Sequence, residues 1–141
     1  TIHTLGLWER VLDLNPDTLD GDDLFRRQPD DAEIEAGIRA DWGEQVGKEV
    51  LEQWREKRLD REAFVREIDV FKSMLPRLRE EARRELQPAA AVAECIRTCG
   101  GPTTPEQLTV STAEYHNGVA RARYLRNRFT ILDLAAELGL S

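Results

Sequence analysis

Residues 60–86 read DREAFVREIDVFKSMLPRLREEARREL, and this stretch decides the fold class. Phe64, Ile68, Phe71, Leu75, Leu78, Ala82 and Leu86 recur at steps of three and four, which puts one apolar stripe on an α-helix. Arg61, Glu62, Arg66, Glu67, Arg79, Glu80 and Glu81 fill the other side. Asp60 stands where an N-cap belongs. Pro76 falls inside the run, but the apolar phase continues past it, so a kinked helix is expected rather than two separate ones.

Upstream, Leu5, Leu7, Trp8, Val11 and Leu12 mark a first helix, closed by Asn15-Pro16. No capping residue with a partner three places on precedes it, so the chain is expected to begin inside a longer helix. Residues 17–29 read as a polar, acidic loop with a turn at Gly21 and an apolar plug at Leu24-Phe25. Asp30 and Glu33 form a capping box before a helix with Ile34, Ile38 and Trp42 on one face. Gly43 interrupts, and a second helix is expected over 44–57 with Val46, Val50, Leu51 and Trp54 inward. Gly47 inside that helix is unfavourable by about 1 kcal/mol relative to Ala, which points to close packing there.

Downstream, Pro88 opens a helix that stops at Gly100-Gly101. Three start signals follow: Thr104-Pro105 with Gln107, Ser111 with Glu114, and Thr130 with Asp133. Tyr115, Val119, Ala122 and Leu125 share one face of the second of these helices. Gly139 is a C-terminal cap. No period-two run and no hairpin dipeptide competes, so the fold expected is all-α, an irregular bundle of six to eight helices.

The 141 residues carry a net charge of −7, which argues against binding a nucleic-acid backbone. No run of apolar residues is long enough to span a membrane, and the cytoplasm is the expected compartment. Cys95 and Cys99 sit i,i+4 on one helix face, about 6 Å apart, a poor geometry for a disulfide. Two reduced, half-buried thiols are expected.

Chemistry-bearing groups are sparse. Arg121, Arg123, Arg126 and Arg128 could hold a phosphate, but a helix splits them between two sides. Arg126 and Arg128, beside a turn at Asn127, remain candidates for a phosphate or substrate contact. His116 has no orienting carboxylate near it in sequence, and His3 has no second ligand at i+4. Asp20, Asp22 and Asp23 lack the pattern of a calcium loop. No catalytic, cofactor-binding or metal-ligating residue can be named from this chain alone.

The text from Cys99 to Gln107, CGGPTTPEQ, followed by Arg126 to Leu134, RNRFTILDL, resembles the C-terminal end of bacterial sn-glycerol-1-phosphate dehydrogenases. In that family it runs approximately G-(A/V)-P-T-T-P-E-E-L and I-R-(D/N)-R-(Y/F)-T-(I/V)-L-D-L. Leu7-Trp8-Glu9-Arg10 and the segment from Trp42 to Asp60 are similar to the same lobe. The family belongs to the iron-containing alcohol dehydrogenase and dehydroquinate synthase group. Its members pair an N-terminal dinucleotide-binding domain with a C-terminal helical domain. They use NAD(P) and a divalent metal (Zn, Ni or Fe) to reduce dihydroxyacetone phosphate for phospholipid biosynthesis. The resemblance implies that residues 1–141 are a single helical domain, the C-terminal fragment of a two-domain enzyme that is inactive alone. The family's metal-binding histidine motif, H-G-x-x-V-G, would fall just before Thr1, so none of its ligands maps onto this chain. The implied partners are the missing N-terminal domain and a second copy in a homo-oligomer. The alternative is a stand-alone helical interaction or scaffold module without catalysis.

Overall fold

A computed structural model describes residues 1–140. Among these the chain is all helical: α1 (Ile2–Asp13), α2 (Gly21–Arg26), α3 (Asp31–Lys57), α4 (Arg61–Glu85), α5 (Ala89–Thr98), α6 (Thr112–Ala122) and α7 (Ile131–Glu137). Short 3-10 turns cover Pro16–Thr18, Pro105–Leu108 and Arg123–Leu125. No strand occurs among the described residues. The all-α, irregular multi-helix arrangement expected from the periodicity is therefore found.

The centre is α4. Its stripe buries Phe64, Ile68, Phe71 and Leu75 against Val11 of α1, Leu24 of α2, and Leu134 and Leu138 at the end of the chain. Burying each such side chain contributes roughly 2 kcal/mol. Asp60 caps α4 by accepting from the Ala63 N–H at 2.9 Å. The helix runs unbroken through Pro76, as the continuous apolar phase requires.

A second core lies within α3, which is two arms joined at Gly43, where φ is +68° and ψ is −177°. The arms lie antiparallel: Asp31 pairs with Arg58, Glu35 with Arg55, and Gly47 faces Ile38 and Arg39. Between them Ile38, Val50, Leu51 and Trp54 are buried. The break expected at Gly43 is thus a hairpin bend. Val46 does not point inward but is 50% exposed, because the first arm covers Gly47 rather than the residue before it.

Three further expectations change. Residues 17–29 are not a plain loop: Asp20 accepts from the Asp23 N–H at 2.8 Å and starts α2, whose acidic first turn suits the helix dipole. Leu125 leaves the α6 face and is 46% exposed, since the chain tightens to a 3-10 turn after Ala122. Cys95 and Cys99 are exposed rather than half-buried, because the more covered residues of α5 are Val92, Ala93 and Ile96.

The other signals hold. The boxes at Asp30/Glu33, Ser111/Glu114 and Thr130/Asp133 form. Gln107 accepts from the Thr104 N–H at 3.1 Å. Gly100, at φ +77°, and Gly139, at φ +71°, end their helices; Gly101 and Leu140 donate back to Ile96 and Ala135. Thr1 precedes α1 without a side-chain cap.

Candidate functional site

The site grows from the start of α7. Asp133 closes the Thr130 box with one oxygen: Oδ2 accepts from the Thr130 N–H and hydroxyl, both at 2.9 Å. Its second oxygen, Oδ1, then faces inward and accepts from Lys57 Nζ at 2.7 Å. Lys57, the last residue of α3, also donates to the Arg123 carbonyl. Arg123 Nε lies 3.5 Å from the same Oδ1, and its guanidinium stacks 5.4 Å over the Tyr124 ring. One carboxylate thus joins the α3 hairpin, the turn after α6 and α7.

One helical turn beyond Asp133 lies Glu137, only 8% exposed. Its Oε2 is buried without a hydrogen-bond partner, as is Arg123 Nε. Burial pushes the Glu137 carboxyl up to about 7; Glu67 and Asp133 push the same way, while Arg123 and Lys57 oppose them. Glu67 of α4 is also raised, first by its own burial and then by Asp133. Gln28 fixes the last turn of α7 by donating to the Glu137 carbonyl at 3.2 Å and to the Leu24 carbonyl at 3.3 Å.

Gln28, Lys57, Arg123, Asp133 and Glu137 form the floor of a cavity of about 810 Å³ between the start and end of α3, the start of α4 and α7. Phe25, Ile34, Trp54, Phe64 and Phe129 give it apolar walls, and Arg26, Asp30, Asp31, Arg58, Asp60 and Arg61 add charges of both signs around them. An apolar concavity with a few convergent polar groups is the usual form of a small-molecule site. Near pH 7 the floor holds two cations and one carboxylate, with Glu137 poised between charged and neutral. It offers hydrogen-bond donors and a proton that can be given or taken.

The arginines singled out from sequence lie elsewhere. Arg126 and Arg128 are exposed and line neither this cavity nor the second one between α1 and the end of α4. Among the described residues neither makes an ion pair. The turn between them is held by Asn127, whose side chain donates to Glu56 at 2.6 Å. Arg121 pairs with Asp41. Arg123, read as a solvated face, is the arginine that enters the site. The residues that sequence reasoning missed are Lys57, Arg123, Asp133 and Glu137. The available signal was the acidic pair at 133 and 137, spaced i,i+4 on the side of α7 that also carries Leu134 and Leu138.

His3 and His116, distant in sequence, flank Tyr115 with ring centroids 5.9 and 5.8 Å away. Burial, and then His116, hold the His3 pKa below its ordinary value. Among the described residues no three His, Cys, Asp or Glu side chains are grouped to hold a metal. No helix among the described residues is long and apolar enough to cross a membrane. Comparison with protein-family models, with curated proteins and with solved structures finds no match for the chain.

Proposed function

We propose that this chain is the helical C-terminal lobe of a cytoplasmic, NAD(P)- and metal-dependent sn-glycerol-1-phosphate dehydrogenase, inactive without its dinucleotide-binding domain. The observation that carries the reading is the pair of runs from Cys99 to Gln107 and from Arg126 to Leu134. Structural roles of those residues support it. Gly100 and Gly101 stop α5, Gln107 holds the next turn, and Thr130 and Asp133 start α7 and anchor Lys57. In this reading the lobe walls the active-site cleft, supports the metal-bearing helices and contributes subunit contacts, with NAD(P) and the metal held between the two domains. Arg126 and Arg128, exposed and without ion pairs, are free to reach a substrate phosphate.

The test is the intact mass and N-terminal sequence of the native polypeptide, followed by NAD(P)H oxidation with dihydroxyacetone phosphate and added divalent metal. A polypeptide well above 16.1 kDa, with metal-dependent oxidation, is expected. A native mass matching this chain alone overturns the reading. A second reading, a stand-alone helical interaction module, is favoured by Val70 and Met74, exposed at 50% and 43% one turn apart on α4. It predicts a native chain of 141 residues that self-associates in sedimentation.

A further inference from the structure

We infer that the cavity floored by Lys57, Arg123, Asp133 and Glu137 is a binding site for a small organic monoanion, a carboxylate carried on an apolar body. The inference stands apart from the dehydrogenase reading, because it rests on this cavity and not on the runs that resemble that family.

Geometry supplies the first argument. Two buried polar atoms, Arg123 Nε and Glu137 Oε2, have no hydrogen-bond partner, although Nε lies 3.5 Å from Asp133 Oδ1. Such atoms cost free energy unless something satisfies them. The two residues that carry them line the same open volume of about 810 Å³, enough for a drug-sized ligand. Stacking on Tyr124 fixes the guanidinium plane, and a fixed fork is the group best suited to a carboxylate.

Charge decides the ligand's class. The groups facing Glu137 are Lys57 from α3, Arg123 from the turn after α6, Asp133 from α7 and Glu67 from α4. With Glu137 protonated, the five cations lining the cavity, Arg26, Lys57, Arg58, Arg61 and Arg123, exceed its four carboxylates, Asp30, Asp31, Asp60 and Asp133, by a single positive charge. That excess matches a monoanion. A phosphate dianion would leave one negative charge uncompensated in a half-enclosed site beside Asp133. A cation would meet Lys57 and Arg123. A protonated Glu137 also donates, so it can share an oxygen of the bound carboxylate; once ionised, it repels it. Phe25, Trp54, Phe64 and Phe129 then receive the apolar body.

The experiment titrates the full native polypeptide with benzoate, which stays ionised throughout the range used, and follows the Trp54 indole N–H by NMR. Inorganic phosphate and benzylamine serve as comparison probes. A saturable Trp54 shift with benzoate is expected, with affinity about ten-fold weaker at pH 8 than at pH 6, because the competent fraction falls as Glu137 ionises. Glu137→Gln should bind at pH 8 within two-fold of its pH 6 affinity. Arg123→Gln should lose at least ten-fold. Arg123→Lys keeps the charge without the fork and should lose several-fold, which guards against a folding defect in the first variant. Arg84→Gln, paired with Glu80 on the far part of α4, should bind as the parent does. Absence of a saturable shift, equal binding of benzylamine, tighter binding of phosphate at the same Trp54 signal, or full affinity in both Arg123 variants each overturns the proposal.

Discussion

Lys57 Nζ lies 2.7 Å from Asp133 Oδ1, and the two side chains are 8% and 2% exposed. They are 76 residues apart in sequence, so this ion pair is where the α3 hairpin is tied to α7. Removing one partner leaves a buried charge without its counter-charge. Lys57→Met and Asp133→Asn should each destabilise by about 3–5 kcal/mol in urea unfolding. The double variant should cost at least 1 kcal/mol less than the sum of the two. Strict additivity would show that the pair is not coupled.

Glu137 makes stability depend on pH in an unusual direction. The folded state keeps this proton up to about 7, whereas the ordinary carboxyl releases it near 4.5. Between those values the native state binds the extra proton, so this group's contribution falls as pH rises from about 4.5 to about 7 and is flat above. The full span is at most roughly 3 kcal/mol. Glu137→Gln should remove that slope and unfold at higher urea than the parent at pH 8, with little difference at pH 5. Parallel pH profiles for the two proteins would show that Glu137 titrates normally.

What the sequence reveals follows from what is local. Caps such as Asp30 with Glu33, and the seven-residue stripe on α4, depend on neighbours three or four places away, so they can be read directly. Asp20-Gly21-Asp22-Asp23 was equally local, but a one-and-a-half-turn helix and a hydrated acidic loop share that composition. The site is the opposite case. Lys57, Arg123 and Asp133 come from three elements, and each in isolation resembles a solvated charge. Only the docking of the α3 hairpin onto the turn after α6 strips their water. The Arg126–Asn127–Arg128 turn shows the converse: two arginines prominent in the sequence stay at the surface, while Asn127 between them makes the tertiary contacts.

Gly43 and Gly47 look alike in sequence and should respond oppositely to alanine. Gly43 has φ +68° with ψ −177°, a region that side chains strongly disfavour. Gly43→Ala should destabilise by about 1–3 kcal/mol and loosen the hairpin, seen as lost protection of the Ile38 and Val50 amides. At Gly47 an added Cβ would lie 3.5 Å from Arg39 Cα and Ile38 O, which is ordinary contact. The arms do approach closely there, yet a methyl fits. Gly47→Ala should therefore be neutral or stabilising by up to about 1 kcal/mol in thermal unfolding, through helix propensity. A loss at Gly47 as large as that at Gly43 would mean that the arms pack more tightly than these distances imply.

Glu9 performs a capping task that the local sequence of α5 cannot. The residue at the N-cap of α5 is Pro88, which has no side-chain acceptor. Glu9, 80 residues earlier on α1, instead accepts from the Ala89 N–H at 2.8 Å. Its carboxylate also sits at the positive end of the α5 dipole. Glu9→Ala removes acceptor and charge together and should cost about 1 kcal/mol, whereas Glu9→Gln keeps an acceptor and should cost less than half of that. Because the contact joins only α1 and α5, the loss should be local before it is global. Amide exchange along residues 89–98 should accelerate about five-fold in Glu9→Ala, while the amides of Ile68 and Phe71 on α4 change by less than two-fold. Uniform acceleration across α4 and α5 would instead make Glu9 part of the global core, and no acceleration in α5 would mean that water replaces the carboxylate without loss.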